Sequence, residues 1–352
     1  MDNGFLDYLI ENDLKIFGEQ FEDFLPDKII DFHIHLWKYE FFSREISQKR
    51  LNHNPVLDSD LVNGFTVEDF KNFVEKTFPQ KKYEGLFFGL PVIETDLNKN
   101  NEYIVEVCKK NRCYGLFNPE SNLKEIPQDF FKNRFVGFKP YPELANARSS
   151  NNCRKSKEDI SMFDFISDQV LEFCQEYGLI LLIHIPRAGR LRDRRNIEEL
   201  KEMGSRYSNI KIVLAHAGRS YCYSDIKDSI NYLKGLKNLY VDTAMINNFS
   251  VIEVLLEGLG PEKILYGSDL PVAALKGKNV DINDKHYFIT DKPRDWSLSS
   301  PVLNLDSFTF FIYEIIRSIR IAAMNKSLSR EQIHKIFYLN AHNLINSISG
   351  SA

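Results

Sequence analysis

The 352-residue sequence predicts a single α/β domain, a distorted (β/α)8 TIM barrel with loop insertions and extra helices at both termini. Three observations favour this fold. Short apolar segments alternate with amphipathic helix-forming segments, which is typical of a parallel sheet. No glycine-rich phosphate-binding motif follows the first strand, which disfavours an open dinucleotide-binding sheet. The length also suits a barrel with insertions, since such barrels typically need about 250 residues.

The strands are predicted from runs of β-branched and aromatic residues. The fifth run, residues 179–184, is continuously apolar, as expected for a parallel strand buried on both faces. In chain order, the predicted strands cover residues 29–36, 86–90, 114–117, 135–139, 179–184, 210–216, 239–243 and 264–269.

The helices are predicted from apolar residues at helical spacing and from capping signals. Thr66 with Asp69, and Ser329 with Gln332, have the spacing of capping boxes, and Gly178 is suited to end a helix. The predicted helices lie within residues 5–25 and at 66–78, 102–110, 127–133, 162–177, 197–207, 223–236, 249–259, 308–323 and 331–345.

We expect one barrel domain over residues 1–352, with three additions. Residues 1–27 form a helical extension at the N-terminus. Residues 37–64 and 271–305 are long, irregular insertions, and both follow strands whose ends carry candidate ligands. Active sites of this architecture lie at the carboxyl ends of the strands, so the insertions are expected over the barrel mouth.

Composition excludes several classes of function. A net charge of −4 provides no general attraction for nucleic acid or for an anionic membrane. The N-terminus lacks the basic region of a signal peptide, and no uncharged apolar run approaches the roughly 20 residues that span a bilayer. Five cysteines without a C-x-x-C pair suggest neither a disulfide framework nor a zinc knuckle. We therefore expect a cytoplasmic protein.

Histidines recur at the carboxyl ends of the predicted strands. His33 and His35 share one face of the first strand, about 6.6 Å apart along it, which allows both to bind one ion. His184 ends the fifth strand, His216 the sixth, and Asp269 the eighth. Any one of these histidines alone could be a hydrogen-bonded core residue. Four of them with an aspartate at one barrel mouth favour a metal site.

Several strand ends and the last helix carry recognisable motifs: Ile30-Asp31-Phe32-His33-Ile34-His35, Gly137-Phe138-Lys139-Pro140, Leu182-Ile183-His184, Leu214-Ala215-His216-Ala217-Gly218-Arg219, Tyr266-Gly267-Ser268-Asp269 and Leu339-Asn340-Ala341. As a set they resemble the amidohydrolase superfamily, in particular the branch that includes aminocarboxymuconate-semialdehyde decarboxylase. The resemblance implies one or two divalent metal ions. Zinc is the expected ion, with manganese, iron, cobalt or nickel as alternatives.

The resemblance also implies roles for individual residues. His33, His35 and Asp269 are expected as metal ligands, and His184 as a further ligand. His216 is either a ligand of a second ion or a catalytic neighbour that orients the attacking water. Because a divalent ion can lower the pKa of bound water from 15.7 to about 7, hydroxide becomes available at neutral pH. Asp269 would then serve as general base and general acid.

Lys139, at the end of the fourth strand, has three interpretations. In binuclear members of the superfamily a lysine on this strand is carboxylated and bridges two metal ions. Alternatively, Lys139 is a free ammonium group that binds a substrate carboxylate, or a core lysine whose charge is balanced by Glu143 or Asp269. We favour one metal ion over two, because the decarboxylase-like branch is usually mononuclear. Asp31 shares the strand face of the histidines and is expected to support them.

Basic and aromatic residues near the ligands suggest an anionic substrate. Arg187, Arg190 and Arg219 closely follow ligand histidines, and guanidinium groups bind carboxylates through paired hydrogen bonds. The alternative for the 187–195 segment is a solvated basic helix start. Trp37 and Tyr141 lie near strand ends and are candidates to contact a planar substrate, although aromatic residues there often serve packing.

Three functions follow from these expectations. The first is a metal-dependent hydrolase of a small carboxylate-bearing molecule with an amide, lactone or ester bond, in which His216 stabilises the oxyanion. The second is a non-oxidative decarboxylase, in which Asp269 or His216 protonates carbon. The third is a non-catalytic ligand-binding barrel, which the complete set of metal-binding residues argues against. The expected partners are a small-molecule substrate and a second copy in a homodimer.

Overall fold

A computed structural model describes residues 11–146, 156, 158–298 and 308–348. Its central sheet has eight parallel strands that neighbour one another in chain order, with helices between them, so the predicted (β/α)8 barrel is confirmed. The strands are β1 Lys28–His35, β2 Lys82–Phe88, β3 Gly115–Phe117, β4 Phe135–Phe138, β5 Ile180–Ile183, β6 Lys211–Leu214, β7 Leu239–Asp242 and β8 Ile264–Leu265.

Hydrogen bonds between the last and first strands close the barrel. Phe32 N donates to Tyr266 O at 2.9 Å, and His35 N donates to Leu270 O at 2.9 Å. Asp269 N donates to His33 O at 3.0 Å. These bonds continue the pairing beyond the two residues of β8, so the chain around Asp269 runs directly beside the histidines of β1.

The helices cover the outside of the barrel and both ends of the described chain. Residues 5–10 of the predicted N-terminal helix lie outside the described residues. The helices are α1 Glu11–Ile16, α2 Gln48–His53, α3 Val67–Thr77, α4 Leu97–Asn111, α5 Asp168–Tyr177, α6 Arg194–Arg206, α7 His216–Arg219, α8 Tyr223–Ile226, α9 Phe249–Leu259, α10 Phe311–Asn325, α11 Arg330–His334 and α12 Asn340–Asn346.

The capping signals are confirmed. Thr66 and Asp69 form a capping box at the start of α3, and Ser329 and Gln332 form one at the start of α11. Gly178 follows α5 with φ 64°, a left-handed conformation that glycine adopts without a steric penalty.

Two predicted helices are shorter than expected, and a third predicted helix does not form. The stretch 127–133 forms turns, and the helix predicted at 162–177 begins at Asp168, because the Ser167 side chain accepts the N–H of Val170. The helix predicted at 223–236 ends at Ile226 and continues as tight turns. These turns keep Ile230 and Leu233 buried, so the apolar spacing is satisfied without a continuous helix.

The second insertion is more regular than predicted. It contains an antiparallel hairpin of strands Gly277–Ile282 and Lys285–Thr290. The two residues that join the strands, Asn283 and Asp284, have φ values of 49° and 61°. Two-residue hairpin loops require positive φ, and asparagine and aspartate tolerate it better than most residues. The Asn-Asp pair was therefore the overlooked signal. Residues 299–305 lie outside the described residues.

The two insertions contact each other through a buried ion cluster. The Arg294 side chain, 5% exposed, pairs with Asp58 and with Asp60, the latter at 2.8 Å. Trp296 Nε1 donates to Asp58 Oδ2 at 2.9 Å. The two ends of the first insertion pair as short antiparallel strands, Trp37–Lys38 with Gly64–Phe65. Among the described residues, no helix combines the length and apolar character needed to span a membrane.

We expect Gly137→Ala to destabilise the barrel severely. A Cβ atom at Gly137 in β4 would lie 2.0 Å from the carbonyl oxygen of Ile180 in β5, so the neighbouring backbone would have to move. Overpacking of this kind costs about 3 kcal/mol or more in free energy of unfolding when backbone must shift. Chemical denaturation followed by circular dichroism measures the loss.

Gly235→Ala is the matched control, because a Cβ atom there would have no neighbour within 4 Å. Its stability should stay within about 0.5 kcal/mol of the parent protein. Equal stability of the Gly137→Ala protein and the parent would contradict the strand packing described above.

Candidate metal centre and active site

A cavity of about 150 Å³ lies at the carboxyl ends of the strands. Both insertions contribute to its wall, through residues 54–56 and Phe288. A larger cavity of about 690 Å³ lies between α3, α12 and β2 and contains none of the strand-end histidines. The predicted site residues that line the smaller cavity are His33, His35, Lys139, Tyr141, His184, His216 and Asp269.

Three of the cavity histidines have their Nδ1 atom bonded to an acceptor. The pairs are His33 with Asp242 Oδ2 at 2.8 Å, His35 with Gly89 O at 3.1 Å, and His216 with Ala244 O at 3.2 Å. Carbonyl and carboxylate oxygens only accept hydrogen bonds, so each Nδ1 carries the proton of the neutral ring. The Nε2 atoms are then bare lone-pair donors, the form that binds metal ions.

Asp269 lies among these bare nitrogens. Its Oδ1 is 3.3 Å from His33 Nε2 and 3.5 Å from His35 Nε2. Burial lowers the pKa of both histidines, so their rings are neutral. Burial alone would raise the pKa of Asp269, but positive charge at His216, His35 or His33 lowers it to about 2, so the ionised carboxylate needs a cationic neighbour. A carboxylate thus faces nitrogen lone pairs with no proton between them, an arrangement that a cation would stabilise.

The donor set fits a divalent metal ion. His33, His216 and Asp269 each place a ligand atom within 4.8 Å of the other two, and all three residues are buried. His33 Nε2 is a buried atom without a hydrogen-bond partner among the described residues. Imidazole nitrogen and carboxylate oxygen are the ligands of zinc-type sites. The structure therefore groups His216 with His33 and Asp269, where the sequence had left its place open.

His184 also reaches the cavity. Its ring lies 5.4 Å from that of His216 and 5.0 Å from that of Tyr141, measured between centroids. Burial and the nearby Arg219 charge lower its pKa well below the ordinary value. Its Nδ1 is buried without a hydrogen-bond partner in the described part of the chain. A neutral ring with an unused nitrogen remains available as a ligand or as a contact to substrate.

Backbone strain is concentrated at this site. His216, Met245 and Asp269 line the cavity with φ values of 54°, 56° and 75°. Positive φ is unfavourable for residues with a Cβ atom, and such strain is common at functional sites. The surrounding hydrogen bonds hold these residues in place, so the ligand positions are set before any ligand binds.

Asp242 is a site residue that the sequence analysis missed. It ends β7 and is wholly buried, and besides His33 Nδ1 it accepts the N–H of His216 at 2.6 Å and of Ala244 at 3.1 Å. Burial would raise its pKa, but His33 and the other donors lower it. Its position after an apolar strand was the available signal, since it matches those of the predicted ligands.

Two further polar residues brace the ligands. Asn118, after β3, accepts the N–H of Gly89 at 2.8 Å and donates to Lys139 O at 3.2 Å, so it holds the loop whose carbonyl orients His35.

Asp31, on β1, makes a second set of bonds. Its Oδ1 accepts the N–H of His33 at 3.1 Å and of Ser268 at 2.9 Å. Burial raises the pKa of Asp31 to about 7. Asp31 thus links the backbones that carry His33 and Asp269.

Lys139 lies in the cavity wall without a balancing hydrogen bond. Its Nζ is buried and bonds to none of the described residues, and it lies 5.1 Å from the ring centroid of Tyr141. Glu143 pairs instead with Arg50, so the expected balance by Glu143 is not observed. Burial lowers the pKa of Lys139 to about 8, partly opposed by the charges of Asp242 and Asp269. Its amine is therefore available for a substrate or for modification.

The arginines predicted to clamp a substrate do not line the cavity. Arg187 donates to Asn196 Oδ1 at 2.9 Å and to Glu199 Oε1 at 2.6 Å on α6. Arg219 donates to the carbonyl oxygen of Ile185 at 3.1 Å. Both guanidinium groups are thus used to hold the β5 and β6 loops, and the geometry does not support direct substrate binding by either.

Trp37 also departs from the expectation, because it is fully buried beside its pairing partner Phe65 and does not line the cavity. Tyr221, two residues after Arg219, lines the cavity together with Phe288. The ring of Tyr221 packs 4.7 Å from that of His286 on the hairpin. Aromatic contact with the cavity therefore comes from a hairpin distant in sequence.

Comparisons with known proteins place this site in a family. A family model described as amidohydrolase matches residues 30–346. No curated protein matches the sequence. Among solved structures, an amidohydrolase from Burkholderia multivorans with bound zinc is 13% identical, with a TM-score of 0.54 over 90% of this chain and 99% of that one.

Two other similar structures differ in the reaction for which they are named. A probable 2-pyrone-4,6-dicarboxylic acid hydrolase from Acinetobacter baumannii with bound citric acid is 13% identical, with a TM-score of 0.53 over 90% of this chain and 99% of that one. A 5-carboxyvanillate decarboxylase from Sphingomonas paucimobilis is 14% identical, with a TM-score of 0.53 over 92% and 100%. These likenesses show a shared fold. Because the family match spans most of the chain, including the strand-end motifs, the protein belongs to the amidohydrolase family.

Proposed function

We propose that the protein is a metal-dependent hydrolase of a small, carboxylate-bearing substrate with an amide, lactone or ester bond. One observation carries the proposal: Asp269 Oδ1 lies 3.3 Å and 3.5 Å from the Nε2 atoms of His33 and His35, and neither nitrogen has a proton to donate. Without a bound ion, this cluster would destabilise the folded protein, because buried polar atoms are normally paired. It is favourable around a cation.

The residues available to hold one metal ion are His33, His35, His216 and Asp269, with His184 close by. Zinc is the ion we propose, and when bound it would supply the Lewis acidity that makes water nucleophilic at neutral pH. Asp269, ionised in its buried position, would accept a proton from the attacking water and return it to the leaving group.

The hydrogen bond of His216 argues for a ligand role. Because its Nδ1 donates to Ala244 O, the neutral ring has no second N–H to offer to an oxyanion. Burial lowers the pKa of His216 to about 4, which agrees with a neutral ring. We therefore assign His216 to metal binding and not to oxyanion stabilisation.

Among the described residues that line the cavity, Lys139 alone is a lysine or arginine, and we propose that its ammonium group binds the substrate carboxylate. The cavity volume of about 150 Å³ limits the part of the substrate inside it to roughly one ring. The similar structures named for a pyrone dicarboxylic acid and for a carboxyvanillate make acids of this size reasonable first compounds.

The aromatic wall of the cavity favours a second candidate, non-oxidative decarboxylation of an aromatic acid. Tyr141, Tyr221 and Phe288 present ring surfaces to a space of single-ring size. Such a wall would hold a planar ring while a proton is delivered to the carbon that loses carbon dioxide. In this reaction the proton donor would be Asp269 or a group beside it.

Purified without chelators, the protein should contain about one equivalent of divalent metal ion per chain by elemental analysis. His33→Ala should lose the metal, because it removes a bare nitrogen from the cluster. His334→Ala, which alters a histidine stacked on Tyr338 in the C-terminal helices, is the matched control and should retain it. Two equivalents would favour a carboxylated Lys139, and an absence of metal uptake would refute the proposal.

Asp269→Asn should reduce turnover by roughly 10²–10⁴-fold at saturating metal, because the amide cannot accept and return a proton. Steady-state kinetics with added metal separates this loss from weaker metal binding. Asp129→Asn, at a carboxylate that is 59% exposed and paired with Lys132, should leave turnover unchanged. Turnover at the parent rate in the Asp269→Asn protein would remove the proton-transfer role.

The two reactions differ in their products. Incubation with single-ring lactone carboxylates and with hydroxylated benzoates should yield ring-opened acids from the former, without release of carbon dioxide. Mass spectrometry and a carbon dioxide assay together distinguish the outcomes. Carbon dioxide release from the benzoates, without any lactone opening, would replace the hydrolase proposal with the decarboxylase candidate.

A further inference from the structure

The end of α4 brings two cysteines together, far from the metal-binding cluster. Arg112, the residue after α4, has φ 55°, and its N–H donates to the carbonyl of Cys108. The N–H of Cys113 donates to the same carbonyl at 3.1 Å. Helices that end with a left-handed residue characteristically place the side chain after it against the last turn. The backbone therefore directs Cys113 onto Cys108.

The two thiols are close neighbours. Cys113 Sγ lies 3.9 Å from the carbonyl oxygen of Val107, the residue before Cys108. Each thiol shifts the pKa of the other, so that the pKa of Cys113 is lowered and that of the buried Cys108 is raised well above its ordinary value. Cys108 is fully buried, whereas Cys113 is partly exposed. The Cys113 thiol is thus reachable from solvent, whereas the Cys108 thiol is not.

The surroundings of Cys113 favour reaction with a small polar oxidant. Cys113 lines the cavity of about 690 Å³ between α3, α12 and β2. The hydrogen bond from Cys108 lowers the pKa of Cys113, burial opposes this, and the charges of Arg134 and Lys71 lower it further. Arg134 is held in place because its Nε donates to Cys113 O at 2.6 Å. Accessible thiols of low pKa are the ones that peroxides oxidise.

The other described cysteines lack these features. Cys174 is fully buried, and burial raises the pKa of its thiol well above the ordinary value. Cys222 is also buried with a raised pKa, and its thiol contacts Asp225 and Ser224. Within the described part of the chain, the combination of exposure and a neighbouring thiol belongs to the pair at the end of α4.

We propose that Cys108 and Cys113 form a reversible dithiol–disulfide site that is oxidised by hydrogen peroxide. The Cys113 thiolate attacks one peroxide oxygen, which forms a sulfenic acid and releases hydroxide. The Cys108 sulfur then attacks the sulfenic sulfur while its thiol proton passes to the departing hydroxyl group, which forms the disulfide and releases water. Overall, two thiols and one peroxide give one disulfide and two waters, and a dithiol reductant reverses the change.

The site does not depend on the proposed function. Cys113 lies just before Gly115, the first residue of β3, and therefore near the amino end of that strand, whereas the metal-binding cluster lies at the carboxyl ends. The oxidation can accordingly be measured directly on the cysteines, without a substrate and without reference to bound metal.

The experiment treats the reduced full-length protein with hydrogen peroxide, blocks the remaining thiols with N-ethylmaleimide, and maps tryptic peptides by mass spectrometry. Trypsin cleaves after Lys109, Lys110 and Arg112, so a Cys108–Cys113 disulfide appears as two linked peptides. We expect this linked pair to form at least about tenfold faster than oxidation of Cys174 or Cys222. Dithiothreitol should restore maleimide labelling at both positions.

Variants separate the two steps. Cys113→Ser should abolish the linked pair, whereas Cys174→Ser, the matched change at a buried thiol, should leave it intact. Cys108→Ala should leave the sulfenic acid on Cys113 unresolved, so that dimedone traps it. The proposal fails if Cys113 reacts no faster than Cys174 in the parent protein, if it passes to sulfinic acid while Cys108 stays a free thiol, or if it links to another cysteine.

Discussion

The hydrogen bonds that close the barrel between β8 and β1 determine where the chemistry lies. Asp269 N bonds to His33 O, and His35 N bonds to Leu270 O, so residues more than 230 positions apart become neighbours on adjacent strands. Without this closure the two histidines would face a barrel interior that lacks the carboxylate. The cavity, the candidate metal site of His33, His216 and Asp269, and the positions of both insertions all depend on this closure.

Around this closure, buried polar groups orient the histidines that are candidate metal ligands. Asp242, the Gly89 carbonyl and the Ala244 carbonyl each accept a hydrogen bond from the Nδ1–H of one imidazole, so the bare Nε2 atoms face the cavity. Such outer partners fix the tautomer and the ring direction of metal-binding histidines. His216 and Asp269 have positive φ angles, which are unfavourable for residues with a Cβ atom. This backbone strain also orients the two side chains, because regular strand geometry would point them in other directions.

Arginines hold the loops around the cavity, and an insertion contributes to its wall. Arg187, Arg219 and Arg294 hold loops together through buried partners, which leaves Lys139 as the cation on the cavity wall. Because the guanidinium groups are occupied, the negative charge of the substrate that we propose would be met by the smaller ammonium group of Lys139. The hairpin supplies Phe288 to the wall, so the shape of the cavity depends on a segment outside the barrel.

The sequence by itself determined the barrel, its capped helices, and the strand-end histidines and aspartate, because strand alternation and capping depend on residues close together in the chain. Only the tertiary structure decided which long side chains reach the cavity. Arg187 bonds to Glu199 outside the cavity, and Trp37 is buried in the core. Asp242 bonds to His33, which lies 209 positions away in the sequence. Such pairings depend on distant groups competing for the same side chain, and local spacing carries no information about that competition.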